Sequence, residues 1–87
     1  MTIEQMREEI NTINDEMLKL FLQRMEISRE IGKIKVSEGR PFLDRKREEE
    51  TLEWAASNSP LEIQSYSIEF FRNLMQLSRQ FQEENIK

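Results

Sequence analysis

Apolar side chains recur at alternating steps of three and four residues along the first part of the chain, which is the spacing of an amphipathic helix. Thr2, followed three residues later by Gln5, forms a capping box at its start. No glycine or proline interrupts the pattern before Gly32. We predict a first helix over about residues 2–36, with an apolar row made of Ile3, Met6, Ile10, Ile13, Met17, Leu20, Ile27, Ile31 and Ile34.

Two shorter helices are predicted after it. Gly39 and Pro41 end the first helix, because glycine favours a helix terminus and proline cannot continue a helix. Asp44 is a suitable N-cap for a second helix over about residues 44–57.

The third predicted helix follows a short loop. Ser59, Pro60 and Glu62 have the spacing of another capping box, with proline at the first helical position. They predict a third helix over about residues 60–85. Its facing row is Ile63, Ser67, Phe70, Leu74, Leu77 and Phe81. With no internal repeat or linker, residues 1–87 are predicted to form one all-α domain of three helices.

The first helix is too long for a compact monomer. Thirty-five residues span roughly 52 Å at the standard helical rise, whereas a compact chain of 87 residues has a diameter of roughly 30 Å. The overhanging part would expose its apolar row, and such a patch usually marks a partner surface. We therefore predict a homodimer that pairs two copies of this helix. A helix kinked at Gly32, or broken near its middle, is the alternative.

The residue composition limits the kinds of site and partner that the chain can have. The chain has no cysteine and no histidine, which excludes disulfides, thiolate metal sites and the commonest general base. Only carboxylates could bind a metal, and they favour Mg²⁺ or Ca²⁺. Thirteen basic and 17 acidic residues give a formal charge of −4, which argues against a nucleic-acid binder. No segment has the apolar length of a signal peptide or a membrane span, so we expect a cytoplasmic protein with no membrane partner.

Two basic residues lie on the face of the first helix that should be apolar. Arg24 occupies one step of the apolar row, and Lys35, eleven residues further on, shares its face. An unpaired charge at Arg24 would be costly, so Arg24 needs an anionic partner, and Lys35 could line the same cavity. That partner is either a bound anion or an acidic residue of the protein, since a lone arginine in a seam is often a register device or part of an internal ion pair.

Polar residues also interrupt the other two helices. Beside the main row of the third helix, two apolar residues are followed by two hydrogen-bonding ones, in the order Phe71, Met75, Ser78 and Gln82. Asp44, Arg47 and Glu48 open the second helix, whose N-terminus offers free N–H donors. The charged run over residues 45–50 usually indicates a solvated face with i, i+4 ion pairs. These residues predict a helical dimer with a candidate buried anion site.

Several segments together resemble the all-helical class of chorismate mutases. They are Arg7-Glu8-Glu9-Ile10, Ile13-Asn14-Asp15-Glu16-Met17-Leu18, Gln23-Arg24-Met25, Ile31-Gly32-Lys33-Ile34-Lys35, Pro41, Asp44-Arg45-Lys46-Arg47-Glu48 and Ser78-Arg79-Gln80-Phe81-Gln82. No single segment is specific, but the set covers nearly the whole chain with the spacing of that family.

The resemblance implies a fold and a site. The fold would be three helices per chain in an intertwined homodimer, with the two long first helices spanning both subunits. Each active site would take Arg7 from the partner chain. Its other substrate-binding residues would come from one chain, namely Arg24, Lys35, Asp44, Arg47, Glu48, Ser78 and Gln82.

The implied activity is the rearrangement of chorismate to prephenate in phenylalanine and tyrosine biosynthesis, with no cofactor and no metal. In this pericyclic step an ether C–O bond breaks while a C–C bond forms, so no proton transfer or nucleophile is required. The reaction needs a constrained conformer and hydrogen-bond donors at the ether oxygen.

The resemblance also assigns individual roles. Arg7 and Arg24 would bind the carboxylates, and Lys35 and Gln82 would donate to the ether oxygen. Glu48 and the Asp44 N–H would contact the ring hydroxyl. Ser78 and Arg47 would complete the site. The catalytic set on this hypothesis is Lys35, Gln82, Arg24 and Glu48.

Two alternatives remain at the level of the sequence. An isochorismate pyruvate-lyase would share the fold and the basic residues. A non-catalytic helical dimer, serving regulation or scaffolding, would instead neutralise Arg24 and Lys35 with its own glutamates. The resemblance also allows docking onto another enzyme of the shikimate pathway.

Overall fold

The computed structural model describes residues 1–86 and contains three α-helices, with no strand among those residues. The helices are α1 (Ile3–Ser37), α2 (Arg45–Ser57) and α3 (Gln64–Asn85). Helix α3 packs against both α2 and α1. The predicted all-α fold class of three helices is therefore confirmed. No helix in the described part of the chain is long and apolar enough to cross a membrane.

Both ends of α1 are stabilised by local hydrogen bonds. The predicted capping box is present, since the Thr2 hydroxyl accepts from the Gln5 N–H while the Gln5 side chain accepts from the Thr2 N–H. At the other end, the Gly39 N–H bonds the Val36 carbonyl and the Arg40 N–H bonds the Lys35 carbonyl, which is a Schellman motif. Gly39 has φ 67°, the left-handed conformation that this motif requires. Helix α1 is continuous between these ends, without a break at Gly32.

Helix α2 begins as predicted, whereas α3 does not. The Asp44 carboxylate caps α2 by accepting from the Arg47 N–H at 3.0 Å. The prediction that Ser59 caps a helix starting near residue 60 is wrong, because α3 begins at Gln64 and has no side-chain cap. The Ser59 hydroxyl instead donates to the Ala55 carbonyl and bonds the Ser67 hydroxyl, so it completes the end of α2.

The described chain is elongated and has little core. Its principal extents are 54 × 26 × 15 Å and its radius of gyration is 15.9 Å, against roughly 12 Å for a compact chain of this length. The buried hydrophobic residues among those described are Ala55, Met75 and Ile86. The apolar row of α1 is exposed along its N-terminal half, with Ile10 54% and Ile13 55% exposed.

Small and polar residues mediate the contact between α1 and α3. The buried residues of α1 are Ser28 and Gly32, and those of α3 are Met75, Ser78 and Gln82. A Cβ at Gly32 would lie 2.6 Å from Cδ1 of Ile86 and 3.1 Å from Cγ of Gln82. Glycine at this position therefore allows the C-terminal part of α3 to approach α1 closely.

Candidate active site

A cavity of about 770 Å³ lies between the C-terminal half of α1, the start of α2 and the C-terminal half of α3. Seven of the eight predicted site residues line it, namely Arg24, Lys35, Asp44, Arg47, Glu48, Ser78 and Gln82. Residues that are up to 58 positions apart in the sequence (82 − 24) therefore meet in one cavity. Their roles toward a ligand stay predictions.

Arg24 enters this cavity from α1. Its Nη1 atom donates to the hydroxyl oxygen of Ser78, 2.5 Å away on α3. Burial lowers the pKa of the Arg24 guanidinium below its usual value, and the positive charge of Arg47 lowers it further. Two cations thus share the cavity at close range, and a bound anion would relieve their repulsion.

Lys35 is positioned by the end of α1. The Schellman motif at Gly39 turns the chain back, so that the Phe42 carbonyl oxygen accepts from Nζ of Lys35 at 2.8 Å. An ammonium carries three donors, and this contact uses one of them.

Three of the four cationic side chains that line the cavity, Arg24, Lys35 and Arg47, have no ion pair with a carboxylate within residues 1–86. The internal neutralisation expected of a non-catalytic dimer is therefore not found among the described residues. The arrangement favours a bound anion as their partner.

Glu48 is paired in a way that the sequence did not indicate. Its Oε2 atom accepts from Nη1 of Arg79 on α3 at 2.5 Å. The charged run over residues 45–50 predicts instead a solvated face with local ion pairs. Within the described residues no ion pair joins two members of that run.

The polar residues between α1 and α3 form a short network. Nε2 of Gln82 donates to the Ser28 carbonyl oxygen at 2.8 Å, and the Ser28 hydroxyl lies 3.4 Å from that of Ser78. Gln82 is 5% exposed and Ser78 is 8% exposed. Because both face the cavity and are held by neighbours, they present hydrogen-bonding groups with little freedom to move.

The cavity also has apolar lining residues. Trp54 of α2 packs edge-on against Phe71 of α3, with ring centroids 5.4 Å apart, and Met75 is buried beside them. Ile27 and Ile31 of α1 line the cavity as well. Apolar side chains and several cations in one cavity suit a ligand that has both a hydrocarbon ring and acidic groups.

Arg7 lies outside the cavity. It is exposed on the N-terminal part of α1, 17 positions from Arg24, which corresponds to roughly 25 Å along the helix. The same chain therefore does not bring Arg7 to the other seven residues.

The cavity groups that the sequence does not predict include Arg79 and the carbonyl of Phe42. Arg79 is next to the predicted site residue Ser78, but its partner Glu48 is 31 positions away. No local spacing joins the two. A backbone carbonyl in a loop has no signal in the residue pattern at all.

The donor set limits the chemistry that the cavity can perform. It offers guanidinium, ammonium, hydroxyl and amide donors but no histidine or cysteine. Within residues 1–86 no group of three or more acidic side chains is placed to hold a metal. The cavity can bind a ring that carries carboxylates and direct donors at an oxygen that becomes negative during reaction.

Comparisons with known proteins identify a family. The model of the chorismate mutase type II family matches residues 6–83 of the chain. No curated protein and no solved structure matched.

Proposed function

The chain belongs to the chorismate mutase type II family, and we propose that it is an isomerase that rearranges chorismate to prephenate. The observation that carries the proposal is the cavity in which Arg24, Arg47 and Lys35 lie without a carboxylate partner among residues 1–86. Chorismate carries two carboxylates, and arginine is the side chain best suited to bind them.

The proposed mechanism is binding in the reactive conformer together with electrostatic stabilisation. Carboxylate contacts, with Arg24 as one donor, would hold the folded conformer in which the two carbons that bond lie close together. Lys35 and Gln82 would donate to the ether oxygen, which gains negative charge as its C–O bond stretches. No proton is transferred, which suits a cavity without histidine.

The remaining groups would fix the ring. Glu48 and the backbone N–H of Asp44 are proposed to hold the ring hydroxyl. Arg47 and the hydroxyl of Ser78 would complete the shell of donors. The apolar side chains of Trp54 and Phe71 would contact the face of the ring.

We further propose that the active form is a homodimer in which Arg7 reaches the partner's cavity. The exposed apolar row of α1 supports this assembly. So does an open groove of about 640 Å³ between α1 and α3, lined mainly by Met17, Leu18, Phe21, Phe70, Leu74 and Leu77. A second copy of α1 would cover both surfaces. The pathway, the cytoplasmic location and docking onto another enzyme of the pathway stay predictions.

One assay tests the proposed activity against its alternatives. The protein is incubated with chorismate and, separately, with isochorismate, and the products are separated by chromatography. Prephenate from chorismate is the expected result. Salicylate and pyruvate from isochorismate would instead identify a lyase. Neither product, from a folded protein, would favour a non-catalytic module.

A further inference from the structure

Arg79 and Glu48 form an ion pair that connects α3 to α2 inside the cavity. Their side chains are 27% and 24% exposed. The other ion pairs within residues 1–86 join residues two or three positions apart, on more exposed side chains. Among the ion pairs of the described chain, Arg79–Glu48 is therefore the one whose side chains are shielded from solvent and held between two helices. It is the pair that can influence a site.

The contact uses only part of the Glu48 carboxylate. Oε2 accepts from Nη1 of Arg79, and within residues 1–86 no other side-chain donor engages Glu48. A carboxylate has two oxygens that accept hydrogen bonds. Oε1 thus remains to accept from a ligand, while Oε2 is held.

Glu48 also has strong competing partners. It lines the same cavity as Arg24, Arg47 and Lys35. Opposite charges attract more strongly in a partly buried cavity than in water. Without Arg79, a Glu48 side chain free to rotate would pair with one of these cations and take the place of a substrate carboxylate.

We propose that Arg79 is a positioning residue of the site, which holds the Glu48 carboxylate at α3 and so leaves the other cavity cations to bind the substrate. The inference rests on the proposed function. Ser78 and Arg79 are adjacent on α3, and Ser78 accepts from Arg24 while Arg79 binds Glu48. Adjacent residues of α3 therefore bind Arg24 and Glu48 separately, and no ion pair joins Arg24 to Glu48 within residues 1–86.

The first test is Arg79→Gln, which removes the charge and keeps hydrogen-bonding capacity. We expect kcat/KM for chorismate to fall by about 10- to 100-fold, the range of one charge-assisted hydrogen bond, with KM raised because Glu48 then competes for the cations. The matched control is Arg72→Gln on the same helix. Arg72 pairs with Glu69 three positions away, both more than half exposed, and it does not line the cavity, so its kinetic constants should stay at the wild-type level.

A double-mutant cycle distinguishes positioning from a general structural role. Glu48→Gln removes the charge that Arg79 is proposed to hold. In that background Arg79→Gln should change KM by less than about 3-fold, because the two residues act as one unit. The same KM increase in both backgrounds would overturn the inference, since Arg79 would then act independently of Glu48.

Circular dichroism and thermal unfolding of each variant show whether it folds. If Arg79→Gln does not fold, Arg79→Lys carries the test, because lysine keeps the charge but lacks the planar guanidinium that sets the direction of the contact. A raised KM in Arg79→Lys supports the inference, and a wild-type KM overturns it.

A folded wild-type protein that leaves chorismate unchanged overturns the proposed function and this inference with it. An active wild type with unaffected Arg79 variants overturns the inference alone.

Discussion

The side-chain amide of Gln82 donates from Nε2 to the backbone carbonyl oxygen of Ser28, 2.8 Å away and 54 positions earlier in the chain. An amide nitrogen carries two N–H groups, and this bond uses one. The contact with α1 therefore sets which end of the amide is the donor, and it leaves the second N–H for a ligand in the cavity. This relationship is the basis of the first prediction.

Gln82→Glu should make the activity depend on pH. An ionised carboxylate has no donor for the ether oxygen and would face the Ser28 carbonyl, acceptor against acceptor. Because Gln82 is 5% exposed, burial is also expected to raise the pKa of the introduced carboxyl. We expect little activity at neutral pH and a recovery as the pH falls toward that raised pKa. Recovery should be incomplete, because one acidic proton cannot serve both Ser28 and the ether oxygen.

The measurement is kcat/KM against pH for the variant and for the wild type. The wild-type profile should be nearly flat from about pH 6 to 8, since the chain has no histidine and the lowered pKa of Arg24 is that of a guanidinium, which stays charged. Gln80→Glu is the matched control, an exposed position on the same helix. A Gln82→Glu profile parallel to that of the wild type would show that residue 82 does not contact the ether oxygen.

Gly32→Ala should impair catalysis more than stability. The new Cβ would lie 3.1 Å from Cγ of Gln82 and 2.6 Å from Cδ1 of Ile86, so both side chains must shift. The better helix propensity of alanine, worth about 1 kcal/mol, offsets part of that cost. We expect kcat to fall by about 10-fold, because small displacements of a catalytic donor are expensive, with a small change in Tm.

Gly39→Ala should have the opposite effect, a loss of stability without a loss of kcat. No atom within 4 Å would oppose its Cβ, but its φ of 67° is unfavourable for alanine. We expect a loss of about 1 kcal/mol of stability with kcat unchanged. Equal kcat values for Gly32→Ala and the wild type would contradict the positional argument for Gly32.

Folding and activity should depend together on protein concentration. Few hydrophobic residues of the described chain are buried, so association and folding are expected to be linked. Helical circular dichroism and specific activity should decline over the same range of dilution. Ile10→Asp should shift that range to higher concentration, by about 30-fold for an added cost of about 2 kcal/mol. Asn11→Asp, one position away, is the matched control. Sedimentation that finds a folded and active monomer would rule out the dimer.

Mixed inactive variants should recover activity if the site is shared. Arg7→Ala and Arg24→Ala should each nearly abolish turnover, since losing one partner of a desolvated charge pair costs about 2–5 kcal/mol. In a heterodimer of the two, one site carries both lesions and the other carries none. Random subunit exchange should therefore restore about one quarter of the wild-type activity.

The control for this experiment pairs Arg24→Ala with Lys35→Ala. Both residues line the cavity of one chain, so each site of that heterodimer keeps one lesion and should stay inactive. Mass spectrometry first shows that the subunits have exchanged. The assignment of Arg7 to the partner's site would then be contradicted if the control mixture recovered activity. It would also be contradicted if the mixture that contains Arg7→Ala recovered none.

Features that depend on neighbouring residues could be predicted from the sequence. The capping box at Thr2, the cap at Asp44 and the helix end at Gly39 each rely on hydrogen bonds that span three to five residues. The helical period likewise placed Arg24 and Lys35 on one face, and both line the same cavity. Local geometry is encoded by the residues that form it, so these features follow from spacing alone.

Only the tertiary structure decided the features that join distant segments. The hydroxyl of Ser59 could cap α3 or complete α2, and the approach of Ser67 accompanies the second outcome. Glu48 could be solvated or paired, and the packing of α3 on α2 brings Arg79 to it. The close contact at Gly32 likewise determines where Gln82 lies. Each of these groups has several partners of similar energy within reach, and the relative position of the helices, set by packing along their whole length, selects one of them.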